Sequence, residues 1–268
     1  MDQEAQSAGF GIEWREGIGI FRIDRSHKLN ALTRGVVEGL SGFLTRAESG
    51  EARIIVITAA GERAFCAGTD LAEAAGLSIE QQNAKSDYCR DLMMRLAQSP
   101  CISIAAINGL AYGGGLELAM ACTLRYAASG VMLSLPEIKL GLLPAYGGTQ
   151  FLTALVGEAR ALDLILTGRP VDAGEALRMG LISRICDPGV SVVEDAVQTA
   201  TILVGYSEGA LAAARRCIRA AGPKVTAGGA AIERDEASAV SYSADAKEGI
   251  AAFLEKRPPS FKRASTPR

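Results

Sequence analysis

Two glutamates in this chain of 268 residues stand where a carboxylate is costly. Glu117 lies inside LELAM, with apolar residues on both sides, and Glu137 follows Pro136 after the apolar run VMLSL. An ionised carboxyl in apolar surroundings must be paired, hydrogen-bonded or protonated. Two of them near a glycine-rich turn make a candidate acid/base pair. That turn is Gly113-Gly114-Gly115, set between a strand pattern and a helix pattern. Glycine lets the backbone turn tightly and lets a ligand approach its N–H groups, which here lie at the positive end of a helix. Phosphates are bound by the same physics. The run is neither G-x-G-x-x-G nor G-x-x-x-x-G-K-[ST], which favours a carbonyl oxygen over a phosphate.

Each feature has a plainer alternative. The triple glycine would also serve a close helix–strand contact, Glu117 could pair with an arginine, and Glu137 could brace a turn. A second glycine turn, Phe65 to Asp70 (FCAGTD), tilts the balance. It follows the β-branched run Ile54 to Thr58, at the sheet edge where α/β proteins bind ligands. Backbone donors from two such turns would form a fork for one oxygen, each worth roughly 2.7–4 kcal/mol in a transition state. A carbonyl held there becomes an electron sink, and the glutamates could then move protons at the neighbouring carbon.

Composition excludes several other chemistries. The net charge of -2 gives no electrostatic case for nucleic acid, and Arg215, Arg216, Arg219 and Lys224 read as a solvated helix face. His27 is the single histidine, in a polar loop, so a His-rich metal site or a Ser-His-Asp relay is not expected. None of the six cysteines falls in a metal-like spacing, so no metal is expected, and a reducing compartment fits them best. The acidic start lacks signal-peptide features, and no apolar run approaches a membrane span. The expectation is a cytoplasmic protein that does not enter the membrane.

The elements that must position the glutamates follow from periodicity. A hairpin is expected over Gly11 to Asp24, a helix over Thr33 to Ala47 with Thr33 as N-cap, and buried strands at Ile54–Thr58 and Ile102–Ile107. Ala59 to Thr69 reads as a loop, and Leu71 to Asn83 is ambiguous, a possible lid. A helix over Ser86 to Gln98 ends at Pro100. Gly113 to Ala121 reads as a helix, Leu124–Ala127 and Val131–Leu135 as strands. Helices follow at Ala159–Leu166, after Asp172 up to Gly180, and at Val190–Val204, Ser207–Ala220, Ala230–Ser243 and Asp245–Lys256. The class is α/β, with a core over 1–200 and a helical region over 201–268.

With these motifs in order, the chain resembles the enoyl-CoA hydratase/isomerase (crotonase) superfamily from about Trp14 to Phe261. The resemblance rests on NAL at Asn30 to Leu32, AFCAGTDL at Ala64 to Leu71 and AAINGLAYGGGLELAMACTLRYAA at Ala105 to Ala128. It continues through LPEIKLGLLPAYGGTQ, LTGRPVDAGEALRMGLISRI and KEGIAAFLEKRPPSF. It implies a spiral of ββα units, a C-terminal region that builds a homotrimer or a hexamer, and an acyl-CoA thioester as substrate. No separate cofactor is implied, because CoA is part of the substrate. The N–H groups of Thr69 and Gly114 match the oxyanion hole, and Glu117 and Glu137 match the glutamates that add water syn to a 2-trans-enoyl-CoA. Glu117 is assigned to water activation and Glu137 to protonation of the α-carbon. Lys28, Ala67, Asp70, Leu71 and Ala72 match segments beside the CoA and acyl-pantetheine. Phe253 and Lys256 match positions that reach a neighbouring subunit's CoA. Two departures stand out: Thr69 where alanine is frequent, and Ala145-Tyr146 in PAYGG, where an added methyl and a phenol would reshape the pocket. An enoyl-CoA isomerase, another acyl-CoA reaction of this fold and a non-catalytic acyl-CoA binder are the rival readings. The lone His27 counts against a Clp-type serine protease.

Overall fold

The computed structural model describes residues 8–221, 235, 239 and 243–261. Its first elements are a hairpin of β1 (Phe10–Arg15) and β2 (Ile18–Ile23), with Phe10 opposite Ile23. Gly17 makes the turn at φ 71°, a conformation that costs glycine little. The β-branched run becomes β3 (Ile54–Ala59), and Ile102–Ile107 becomes β5, both buried along their whole length. They sit inside a six-stranded sheet of order β1-β2-β3-β5-β7-β10, where β7 is Leu124–Ala127 and β10 is Arg184–Ile185. From β2 onward the neighbours are parallel. Strands covered on both faces carry continuous apolar runs, as these do.

A second sheet has the order β4-β6-β8-β9, built from β4 (Ala64–Cys66), β6 (Leu110–Tyr112), β8 (Met132–Ser134) and β9 (Val171–Asp172). The segment Ala59 to Thr69, expected as a loop, therefore contains a strand, and β6 was not foreseen at all. Strands of three residues are too short to show a period of two. The chain thus repeats one unit: a strand in the first sheet, a short strand in the second, then a helix.

The helices follow their caps. Thr33 accepts from the Val36 N–H and starts α1 (Arg34–Arg46). The ambiguous segment 71–83 resolves into α2 (Leu71–Ala74) and the first turn of α3 (Ile79–Gln98), where Ser78 and Gln81 form a capping box. The triple glycine opens α4 (Gly114–Ala121). Two helices then adjoin, α5 (Gly148–Val156) and α6 (Glu158–Thr167), with Gly157 between them at φ 82°. Of these only the second was expected, because α5 begins with glycine and threonine and has no capping side chain. Asp172 caps α7 (Ala173–Met179) and Gly180 closes it at φ 83°; α8 is Val192–Val204.

The chain divides into two compact units, Met1–Ala200 and Thr201–Arg268. The first holds the apolar core, from Phe21, Phe43 and Ile55 to Leu118, Leu133 and Leu152. In the second, Ser207 caps α9 (Glu208–Ala220) and donates to Asp245 Oδ2 at 2.6 Å at the start of α10 (Ala244–Leu254). The helix expected over 230–243 lies almost wholly outside the described residues, as does Lys224.

Helix α4 approaches β4 through Gly115, where a Cβ would overlap the Cys66 carbonyl. Gly115→Ala should therefore destabilise the protein by about 1–3 kcal/mol, read as a lower urea midpoint. Gly42→Ala, in α1 with no atom near its Cβ position, should instead gain roughly 0.5–1 kcal/mol. Equal effects of the two would contradict the packing described.

Candidate active site

The two glycine turns meet because β4 and β6 pair in parallel, Ala64 opposite Leu110 and Cys66 opposite Ala111. Gly68, at φ 97°, lies against the second turn, so that a Cβ would come within 3.0 Å of the Tyr112 carbonyl and 3.2 Å of the Gly114 nitrogen. The NAL segment pins the first turn. Leu29 and Asn30 adopt positive φ of 51° and 56°. The buried Asn30 amide donates to Ala60 and Ala64 carbonyls at 2.9 and 2.7 Å and accepts from Arg25 N–H at 2.9 Å. Leu32 then bridges to the turn: its N–H donates to the Gly68 carbonyl at 2.7 Å, and its carbonyl accepts from Asp70 N–H at 3.0 Å. In that register the intervening Thr69 N–H takes no part. Gly114 is the first residue of α4, so its N–H is one of the donors a helix start leaves unpaired. Both residues line one cavity of about 610 Å³, together with Glu117 and Glu137. The two glycine turns therefore bring Thr69 and Gly114 to the same cavity as the two glutamates.

Glu117 projects from the first turn of α4 and is 1% exposed. Among the described residues no arginine pairs with it. Its Oε1 accepts from the Tyr146 and Gly148 N–H groups, each at 2.8 Å, and among the described residues none donates to Oε2. Burial pushes its carboxyl up to about 7, helped by the nearby Glu137 charge and opposed by the two N–H donors. Glu137 opens the helical turn Glu137–Leu140. Its Oε2 is buried without a hydrogen-bond partner, and burial raises its carboxyl above the usual range. Two coupled carboxyls of this kind share protons. Burial favours the protonated form of both; the two N–H donors oppose it at Glu117, whereas Glu137 Oε2 has no such donor among the described residues.

Tyr146 joins these parts. Its hydroxyl lies 2.7 Å from Thr69 Oγ1, its ring packs on Gly114, and its backbone holds Glu117. The departure noted in PAYGG is thus in the wall of the site. Of the residues matched to CoA binding, Ala67 and Leu71 line the cavity. Asp70 instead caps α2 and pairs with Arg25 at 3.1 Å, while Lys28 and Ala72 are exposed and do not line it. Lys256 is exposed, and the Phe253 side chain lies outside the described residues. The backbone donors of Tyr146 and Gly148, and Lys85 in the cavity wall, were not anticipated. Backbone donors carry no side-chain signal, and Lys85 sits in an ordinary polar helix pattern.

A raised carboxyl in the folded state means that stability is fully present at low pH and is lost as pH rises through about 7. At 1.36 kcal/mol per unit, the burden on ionised Glu117 is roughly 3 kcal/mol. Glu117→Gln keeps an Oε1 acceptor and removes the charge. It should melt above the native protein at pH 8 and show a smaller difference at pH 5. An identical difference at both would contradict the burial argument.

Known proteins resemble this chain in sequence and fold. The family model described as enoyl-CoA hydratase/isomerase matches residues 13–264. The mitochondrial enoyl-CoA hydratase of Pongo abelii is 36% identical over 245 residues, 91% of this chain and 83% of that protein. A crystal structure of enoyl-CoA hydratase from Bacillus anthracis superposes with a TM-score of 0.89 at 34% identity, covering 96% of this chain and 100% of the other. DspI of Pseudomonas aeruginosa follows at 0.87 and 32%, covering 95% and 97%. With a crotonase-type spiral of ββα units in its α/β core, this chain belongs to the enoyl-CoA hydratase/isomerase family.

Proposed function

We infer that this protein is an enoyl-CoA hydratase, adding water to a 2-trans-enoyl-CoA to give a 3-hydroxyacyl-CoA. One observation carries the reading: Glu117 and Glu137 share a cavity with the unused N–H groups of Thr69 and Gly114. The thioester oxygen accepts from those two donors, which stabilise the enolate that forms as water attacks C3. Glu117, as carboxylate, holds the water at its free oxygen and removes its proton. Glu137, as acid, delivers a proton to C2. With both groups on one side of the double bond, addition is syn. CoA enters as part of the substrate, and Ala67 and Leu71 flank its entry.

The assembly we propose is a homotrimer or a dimer of trimers. Its support is the helical second unit, which exposes Ile218 and Ile250. A cytoplasmic setting is supported by cysteines such as Cys66, Cys89, Cys101 and Cys122, buried as small apolar groups.

Incubation with crotonyl-CoA and longer enoyl-CoAs should bleach the absorbance of the conjugated thioester. Glu117→Gln and Glu137→Gln should each lower kcat by about 10²–10⁴-fold while acyl-CoA binding is largely kept. Persistence of the absorbance at every chain length would overturn the reading. Retained turnover in Glu137→Gln would remove the proposed acid.

A further inference from the structure

We propose that the acyl end of the cavity selects chains that terminate in a carboxylate, and that Lys85 receives it. The inference rests on the hydratase reading for the direction in which the substrate lies. With the thioester oxygen at Thr69 and Gly114 and the double bond at the two glutamates, the chain beyond C3 runs past Tyr146. The Tyr146 hydroxyl is bonded to Thr69 Oγ1 and interacts with Cys89, which in turn feels the charge of Lys85. Lys85 lines this cavity and also a second one of about 440 Å³ that extends along α1 and α3. Tyr146 and Lys85 therefore wall the first cavity, and Lys85 meets Cys89 in the wall of the second.

The Lys85 Nζ is buried and has no hydrogen-bond partner among the described residues. Its nearest anion, Glu73 Oε2, is 3.8 Å away, beyond hydrogen-bond reach. Glu73 already accepts from the Arg34 N–H, at 3.2 Å to each oxygen. Cys89 offers no counter-charge, because burial pushes its thiol up to about 11. An ammonium that makes no hydrogen bond and only a long ion pair gains from an anion that reaches it. An alkyl terminus would offer none, whereas a carboxylate would pair with it and satisfy its donors. Enzymes discriminate strongly when a buried polar group is otherwise left unpaired.

The test uses saturated thioesters, which bind without turning over. Calorimetry would compare succinyl-, glutaryl- and adipyl-CoA with the alkyl acyl-CoA of equal carbon number. The expected result is at least tenfold tighter binding of one or more ω-carboxyacyl thioesters by the native protein. That ratio should collapse toward one in Lys85→Met and largely survive in Lys85→Arg. Tighter binding of the alkyl ligand at every length, or a ratio unchanged in Lys85→Met, would overturn the proposal. If Lys85→Met does not fold, the native and Lys85→Arg ratios decide. Failure of the hydratase reading shows separately, as absence of crotonyl-CoA hydration.

Discussion

The Glu117 carboxyl is withdrawn from water and held at one oxygen by the N–H groups of Tyr146 and Gly148. Much of the local sequence follows from that placement. Gly148 must lack a side chain, since a Cβ there would come within 2.8 Å of Glu117 Oε1. Gly113 is under the same constraint from Glu137 Oε1, at 2.9 Å. The segment from Pro136 to Gly148 therefore carries both the second carboxyl and the donors for the first. Burial raises both carboxyls, and the Glu137 charge raises Glu117 further, a setting suited to acid/base work near neutral pH.

The proposed oxyanion fork depends on a different constraint, the parallel pairing of β4 with β6. Short strands in the second sheet bring two strand-to-helix turns side by side, and Gly68 removes the side chain that would separate them. Leu32 takes the Gly68 carbonyl and the Asp70 N–H on either side of Thr69, which leaves the Thr69 N–H outside that ladder. The helix start at Gly114 supplies the other donor. Tyr146 touches both halves, which makes the PAYGG departure a matter of both acid/base geometry and pocket shape.

The long apolar strands, the capped helices and the two glutamates were legible because each has a local signal. Ile54–Ala59 has its β-branched run, α1 has Thr33 and α7 has Asp172. What escaped notice depended on tertiary context. Strands β4 and β6 are too short for periodicity, and α5 lacks a side-chain cap. The Glu117 donors are backbone groups, and nothing in the helix pattern around Lys85 marks its ammonium as buried. Asp70, matched to the CoA segment, works as a helix cap and as partner to Arg25.

Hydration of crotonyl-CoA in deuterium oxide, followed by proton NMR before product exchange, tests the two-carboxylate arrangement most directly. If Glu117 and Glu137 act from one side of the double bond, the product carries one deuterium at C2, syn to the new hydroxyl at C3. Deuterium anti to the hydroxyl, or scrambled at C2, would contradict it.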